Sequence, residues 1–279
     1  EFSPFAEYPP EVTNRWLAAA LELACSALPA PGRDEVEVNV TVPVVDPATA
    51  VDIVKASGAR TAKVKVGDPG QSEEDDLERI EAVGEALGPG GRIRVDVNGA
   101  WDLETATARL ARMERFDLEY AEQPVETVEE MVELRRRVAV PLAADELVRR
   151  SADPLRVVRE GGADVVVIKV QPIGGVARSL DLASRAGVPV VVSSALETSV
   201  GMYGGLLAAS LLETPVACGL NTVSMLAADV TTDPLVAEGG RIRVRRPEPD
   251  PDLLDRWAAD TETAGEMMRR LRAAAALLT

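Results

Sequence analysis

Histidine is absent from the 279 residues of this chain. Its absence removes Ser-His and Cys-His triads, histidine-bound zinc and imidazole bases together. Acid–base chemistry near neutral pH then falls to Lys, Asp, Glu, Tyr or Cys. Cysteine is nearly absent too, with only Cys25 and Cys218. Two cysteines make no disulfide scaffold in a chain this long, which suits a reducing compartment and leads us to expect a cytoplasmic protein. Basic residues are scarce beside acidic ones, 30 against 46, for a net charge of −16. That balance argues against binding the phosphate backbone of nucleic acids and mainly signals solubility. No apolar run reaches the roughly 18 residues of a membrane span. No Gly-x-Gly-x-x-Gly follows the first strand, which argues against a dinucleotide fold. The chain opens Glu1-Phe2-Ser3-Pro4-Phe5, with neither initiator Met nor signal-like stretch. Such an opening reads like the interior of a domain, and we expect further residues upstream.

What the chain has is regular alternation of strand and helix patterns. A helical pattern over residues 11–28 ends in Pro29-Ala30-Pro31-Gly32. Valine at 36, 38, 40, 42 and 44 then predicts a strand over 35–44. Further strands are predicted at 61–66, 92–97, 118–122, 141–144, 164–170, 189–192 and 215–218. Helical patterns lie between them, opened by Ser72 with Asp75, by Asp102, and by Thr127 with Glu130. Gly161 and Gly187 are predicted helix stops. Eight strands alternating with helices imply a parallel sheet, and eight such units favour a closed α/β barrel of the (β/α)8 TIM type. The Arg- and Pro-rich stretch 243–251 is expected to leave the barrel before a last helix over 255–278.

Polar residues recur at the ends of successive strands. Lys65 ends the second, Asp96 the third, Glu122 the fourth, Asp145 the fifth and Lys169 the sixth, spaced by 31, 26, 23 and 24 residues. Each step is about one βα unit, so all five fall at one mouth, where barrel active sites lie. In Lys63-Val64-Lys65-Val66 the valines share one face and the lysines the other, so the lysines are expected to point into the barrel. A lone carboxylate at a strand end more often caps the next helix; five polar positions in phase with the repeat are harder to explain that way. Three converging carboxylates without histidine or thiolate form a hard oxygen site suited to Mg²⁺, with Mn²⁺ as a substitute. A lysine beside a dication and a second ammonium has a lowered pKa and can act as a base. The expected substrate is a small carboxylate that loses its α-proton.

At these residues the sequence resembles the enolase superfamily and, within it, the o-succinylbenzoate synthases of menaquinone biosynthesis; lysine bases with Mg²⁺ are that superfamily's pattern. The matching motifs are Thr61-Ala62-Lys63-Val64-Lys65, Asp96-Val97-Asn98-Gly99-Ala100-Trp101, Glu122-Gln123-Pro124, Ala144-Asp145-Glu146 and Ile168-Lys169-Val170-Gln171-Pro172-Ile173-Gly174-Gly175. The resemblance implies that Asp96, Glu122 and Asp145 ligate Mg²⁺, with Asn98 and Glu146 supporting them. It implies that Lys65 removes the α-proton and later assists loss of hydroxide, that Lys63 is its electrostatic neighbour, and that Lys169 stabilises the enediolate from the opposite face. It assigns substrate contacts to Ser193, Ser194, Gly219 and Asn221. It also implies a domain order: the end of an N-terminal α+β capping domain over 1–33, the barrel over 34–230, and an extension over 231–279 packing back on barrel or cap. Racemases and epimerases of the superfamily share the paired lysines. The epimerases usually carry an acidic pair near the eighth strand that Gly219-Leu220-Asn221 lacks.

Overall fold

The valine-rich run at 36–44 forms strand, but with three successive partners. In the computed structural model, which describes residues 1–213 and 216–278, β1 (Glu35–Glu37) pairs antiparallel with the late strand Arg241–Arg243. Val38 and Asn39 then cross to a seam beside Cys218. Only β2 (Val40–Val42) joins the main sheet. Period-two alternation survives because each partner accepts the same pleat.

The chain begins with helix α1 (Pro10–Cys25), ahead of β1 and β2. Next come α2 (Pro47–Ser57), β3 (Thr61–Lys65), α3 (Glu73–Leu87), β4 (Arg92–Asp96), α4 (Leu103–Met113) and β5 (Tyr120–Glu122). Then follow α5 (Val128–Arg135), β6 (Leu142–Ala144), α6 (Glu146–Arg149), α7 (Arg156–Arg159), β7 (Val165–Lys169) and α8 (Val170–Ile173). The chain continues through α9 (Val176–Ala186), β8 (Val190–Ser193), α10 (Ser199–Leu211), β9 (Arg241–Arg243), α11 (Pro251–Arg256) and α12 (Thr261–Ala275). The predicted last helix is thus two helices, because Asp260 caps a fresh start at Thr261 by accepting from Thr263 N. The predicted capping boxes at Ser72/Asp75 and Thr127/Glu130 both form, and Gly187 ends α9 in the left-handed region.

Strands β2 to β8 form one parallel sheet in sequence order. Its edges meet through a very short eighth position. Cys218 bridges Val38 on one side and Gly219 bridges Ser193 on the other. Cys218 N donates to Glu37 O at 2.8 Å and Gly219 N to Val192 O at 2.8 Å, closing the ring. Pro215, the predicted start of this strand, lies outside the described residues.

Closure sorts side chains by parity. Ala62, Val64, Val95, Ala121, Val166 and Ile168 face outward into a core shared with Leu77, Ile80, Leu110 and Met113 of the helices. Inward positions fill a smaller cluster of Tyr120, Ala143, Val167 and Val191. Arg94 is wholly buried in that interior. Its guanidinium lies 4.7 Å from the Tyr120 ring centre and donates to Asn39 Oδ1 at 3.2 Å and Ala217 O at 2.8 Å. Lys63 lies level with Arg94, and one step further along the strands the inward positions become Lys65, Asp96, Glu122, Lys169 and Ser193. The fold therefore gathers the predicted constellation at one end of the barrel.

Candidate active site

Register alone brings the charges together. Lys65 stands opposite Asp96 and Asp96 opposite Glu122 across neighbouring strands. Lys63 Nζ donates to Asp96 Oδ2 at 2.8 Å and to Glu122 Oε1 at 3.0 Å. Lys65 Nζ donates to Asp96 Oδ2 and to Asn98 Oδ1, each at 2.6 Å. Lys169 Nζ donates to Asp145 Oδ2 at 2.6 Å. Three ammoniums thus meet three carboxylates, which makes the buried cluster neutral and tolerable.

The cluster's titration follows from that pairing. Burial works to lower the Lys63 ammonium, yet Asp96 and Glu122 outweigh it and hold its pKa well above the ordinary lysine value. Burial works to raise Asp96, but Lys63 and Lys65 pull it well below the usual carboxylate range. Glu122 is raised by burial and by the neighbouring Asp96 charge, and Asp145 by burial, against the pull of Lys169. At both carboxyls burial outweighs the pull of the lysines, and added positive charge would favour the ionised form.

Above this floor lies a cavity of about 260 Å³, lined by Lys63, Lys65, Asp96, Asn98, Lys169 and Ser193 among others, with Phe5, Leu196 and Met225 at its rim. In an eight-position ring, β3 and β7 are four positions apart, so Lys65 and Lys169 face each other across the opening. Lys65 is the more accessible, its side chain 31% exposed against 11% for Lys169. Backbone strain gathers here as well: Asn98 (φ 53°), Gln123 (φ 42°) and Leu196 (φ 59°) follow the ends of β4, β5 and β8 in the left-handed region.

The other predicted residues divide. Asn98 Nδ2 donates to Glu146 Oε1 at 3.2 Å, so the two form a bridge behind the metal-ligand candidates. Ser193 and Ser194 line the cavity, and both hydroxyls donate to Gly219 O, at 3.1 and 3.0 Å. A Cβ on Gly219 would sit 2.6 Å from Ser193 Oγ, so the close approach requires glycine. Asn221 is not part of the lining. Its Oδ1 accepts from Ala237 N at 3.3 Å, tying the turn to the C-terminal extension, and Thr222 lines the cavity in its place.

Sequence reading missed three supporting residues. Gln123 is fully buried, and its Oε1 accepts from Asp145 N and Leu147 N while Nε2 donates to Val125 O. Arg79, buried in α3, donates to Lys65 O at 3.0 Å and Val45 O at 3.2 Å. Arg149 donates to Asp145 Oδ1 at 3.2 Å and Glu146 Oε1 at 2.7 Å. Two left a signal: Gln123 stands inside the Glu122-Gln123-Pro124 motif, and Arg149 one helical turn beyond Asp145 and Glu146.

The fold and the site define a class: parallel β/α barrels with buried lysines and carboxylates at one mouth and neither histidine nor thiolate among them. Comparison with known families sharpens this. Residues 46–250 match the enolase C-terminal domain-like family and residues 1–24 the enolase N-terminal domain-like family. The o-succinylbenzoate synthase of Thermobifida fusca is 58% identical over 88% of this chain and 78% of its own length. That of Mycolicibacterium smegmatis is 48% identical over 93% of this chain and 80% of its own length. The crystal structure of N-succinyl Arg/Lys racemase from Bacillus cereus superposes with a TM-score of 0.72 at 26% identity, covering 81% of this chain. This chain spans 64% of that structure's length. The chain belongs to the enolase superfamily and, within it, to the o-succinylbenzoate synthase family.

Members of this superfamily use a divalent metal ion. The donor set suits one, being oxygen-only and buried, with burial raising the Glu122 and Asp145 carboxyls despite the lysines beside them. Among the described residues no three potential ligands have closed on a common point. The lysines hold those oxygens instead, so a cation entering would take the place of ammonium contacts.

Proposed function

We propose that this chain is an o-succinylbenzoate synthase, a lyase that dehydrates 2-succinyl-6-hydroxy-2,4-cyclohexadiene-1-carboxylate to 2-succinylbenzoate. The observation that carries this reading is the pair of lysines facing each other over a carboxylate floor, in a chain 58% identical to such a synthase. Asp96, Glu122 and Asp145 would hold Mg²⁺ (or Mn²⁺), which when bound supplies positive charge to the substrate carboxylate. Lys65 takes the proton from the carbon bearing that carboxylate, and the electron pair moves into the carboxylate to give an enediolate. Lys169 presents its ammonium to this enediolate from the opposite side. The electrons then return to expel the ring hydroxyl, Lys65 returns its proton to the departing oxygen, and water leaves as the ring becomes aromatic. Lys63 holds Asp96 and Glu122 in place. Ser193, Ser194 and Gly219, which line the cavity, would contact the succinyl arm. Free Cys25 and Cys218 suit the reducing cytoplasm, where we place the enzyme.

The test is loss of the diene absorbance with Mg²⁺ present. The wild-type chain turns over, and Lys65→Ala falls by at least about a thousandfold. Absence of turnover, or an unaffected Lys65→Ala, rejects the assignment. A second reading, 1,1-proton transfer on an N-succinylamino acid or a dipeptide, is favoured by the same facing lysines and by the racemase structure. Deuterium exchange into such a substrate pool would reveal it.

A further inference from the structure

Arg149 has no place in the chemistry above, yet it is the best-connected cation at the mouth. It lies at the end of α6, 6% exposed, and lines the cavity. Its Nε and one terminal nitrogen bond Asp145 and Glu146; the other terminal nitrogen has no hydrogen-bond partner. Its guanidinium is stacked near two rings of the N-terminal segment, 5.5 Å from the Phe5 centre and 5.7 Å from Tyr8. Those rings pack edge-to-face on each other and on Trp16 of α1, at 5.7, 6.2 and 5.4 Å. Arg270 of α12 fixes the backbone under them, donating to Phe5 O at 2.6 Å and to Pro4 O and Tyr8 O at 3.3 Å. Arg150 Nε donates to Tyr8 Oη at 3.0 Å.

We infer that Arg149 is a positioning residue through which the N-terminal aromatic segment sets the geometry of the Asp145–Glu146 carboxylate pair for a divalent cation. Lys169 holds one oxygen of Asp145 and Arg149 the other, so the carboxylate has no free rotamer. Phe5 and Tyr8 in turn fix the guanidinium plane, because a planar cation between rings keeps one orientation. Supporting partners of this kind change metal affinity by about ten- to a hundredfold when removed. The rings come from a segment distant in sequence, so its packing against the mouth links that segment to the Asp145–Glu146 pair.

This inference rests on the metal assignment proposed above, and its readout is binding of Mg²⁺ alone, measured by titration calorimetry without substrate. Turnover tests the synthase assignment separately. Arg149→Met is expected to weaken Mg²⁺ binding about ten- to a hundredfold. Arg149→Lys, which keeps the charge but loses the fork, falls between it and wild type. Phe5→Leu weakens binding roughly two- to tenfold, and in the Arg149→Met background it adds nothing, since it acts through the guanidinium. Circular dichroism and melting confirm folding of each variant; should Arg149→Met not fold, Arg149→Lys and Phe5→Leu decide. Unchanged or tighter Mg²⁺ binding in the folded Arg149 variants overturns the inference, because Arg149 would then only compete with the cation. So does a wild-type chain that binds no Mg²⁺. Independent, multiplicative effects of the Phe5 and Arg149 changes overturn the link to the N-terminal segment.

Discussion

Lys63 and Asp96 form the centre of a charge cluster that burial would otherwise forbid, and the surrounding residues take their states from it. Glu197 lies beyond that compensation. It is 3% exposed, near the end of the loop between β8 and α10. Burial, helped by the Glu1 charge, pushes its carboxyl up to about 8, against a smaller opposing pull from Lys169. A carboxyl raised on folding binds its proton more tightly in the native state than in the unfolded one. Between about pH 5 and 8 the native chain therefore holds more protons, and stability falls as pH rises through that window. Glu197→Gln should remove this slope. Its melting temperature should match wild type near pH 5 and exceed it by a few degrees at about pH 8.5. Equal pH dependence in scanning calorimetry of the two chains would contradict the argument.

At the scale of elements, α3 does more than cover β3. Its first two turns carry Asp76 and Arg79, both buried and ion-paired to each other. Asp76 Oδ2 accepts from Gly67 N at 3.0 Å while Arg79 donates to the carbonyls of Lys65 and Val45. The ends of β2 and β3, and with them the backbone of Lys65, are thus pinned by one helix turn. Gly67 itself has φ 80° and lies so near Trp101 that a Cβ would be 2.7 Å from the indole nitrogen. Asp76→Ala leaves the Arg79 guanidinium buried without its counter-charge, which should cost about 3–5 kcal/mol in urea unfolding. Asp76→Asn, which keeps an acceptor for Gly67 N, should cost less. None of this was legible beforehand. Asp76 and Arg79 read as ordinary acidic and basic residues on a charged helix, and only the docking angle of α3 buries them.

For the whole molecule, the barrel is closed, among the described residues, at Cys218 and Gly219, and the chain's two ends meet beside it. Strand β9 pairs with β1, and α12 packs along α1 while Arg270 holds the Pro4–Tyr8 backbone. A chain ended after residue 257 should keep its barrel but loosen that segment. Hydrogen exchange should speed up across residues 4–16 and stay unchanged in β3 to β7. Exchange unchanged at residues 4–16 would show that the segment needs no support from α12. The sequence by itself determined the barrel class, the order of its units and the five residues at successive strand ends, because a period-two pattern repeating every βα unit leaves few arrangements. The missing histidines likewise removed imidazole chemistry, and the lysines and carboxylates at the strand ends were left as the candidates. Tertiary structure decided which cation pairs with which carboxylate, that Asn221 turns away to the extension, and that Arg149, Gln123 and Arg79 support the site. Those outcomes depend on distances between segments far apart in the chain, and neither residue type nor periodicity carries that information.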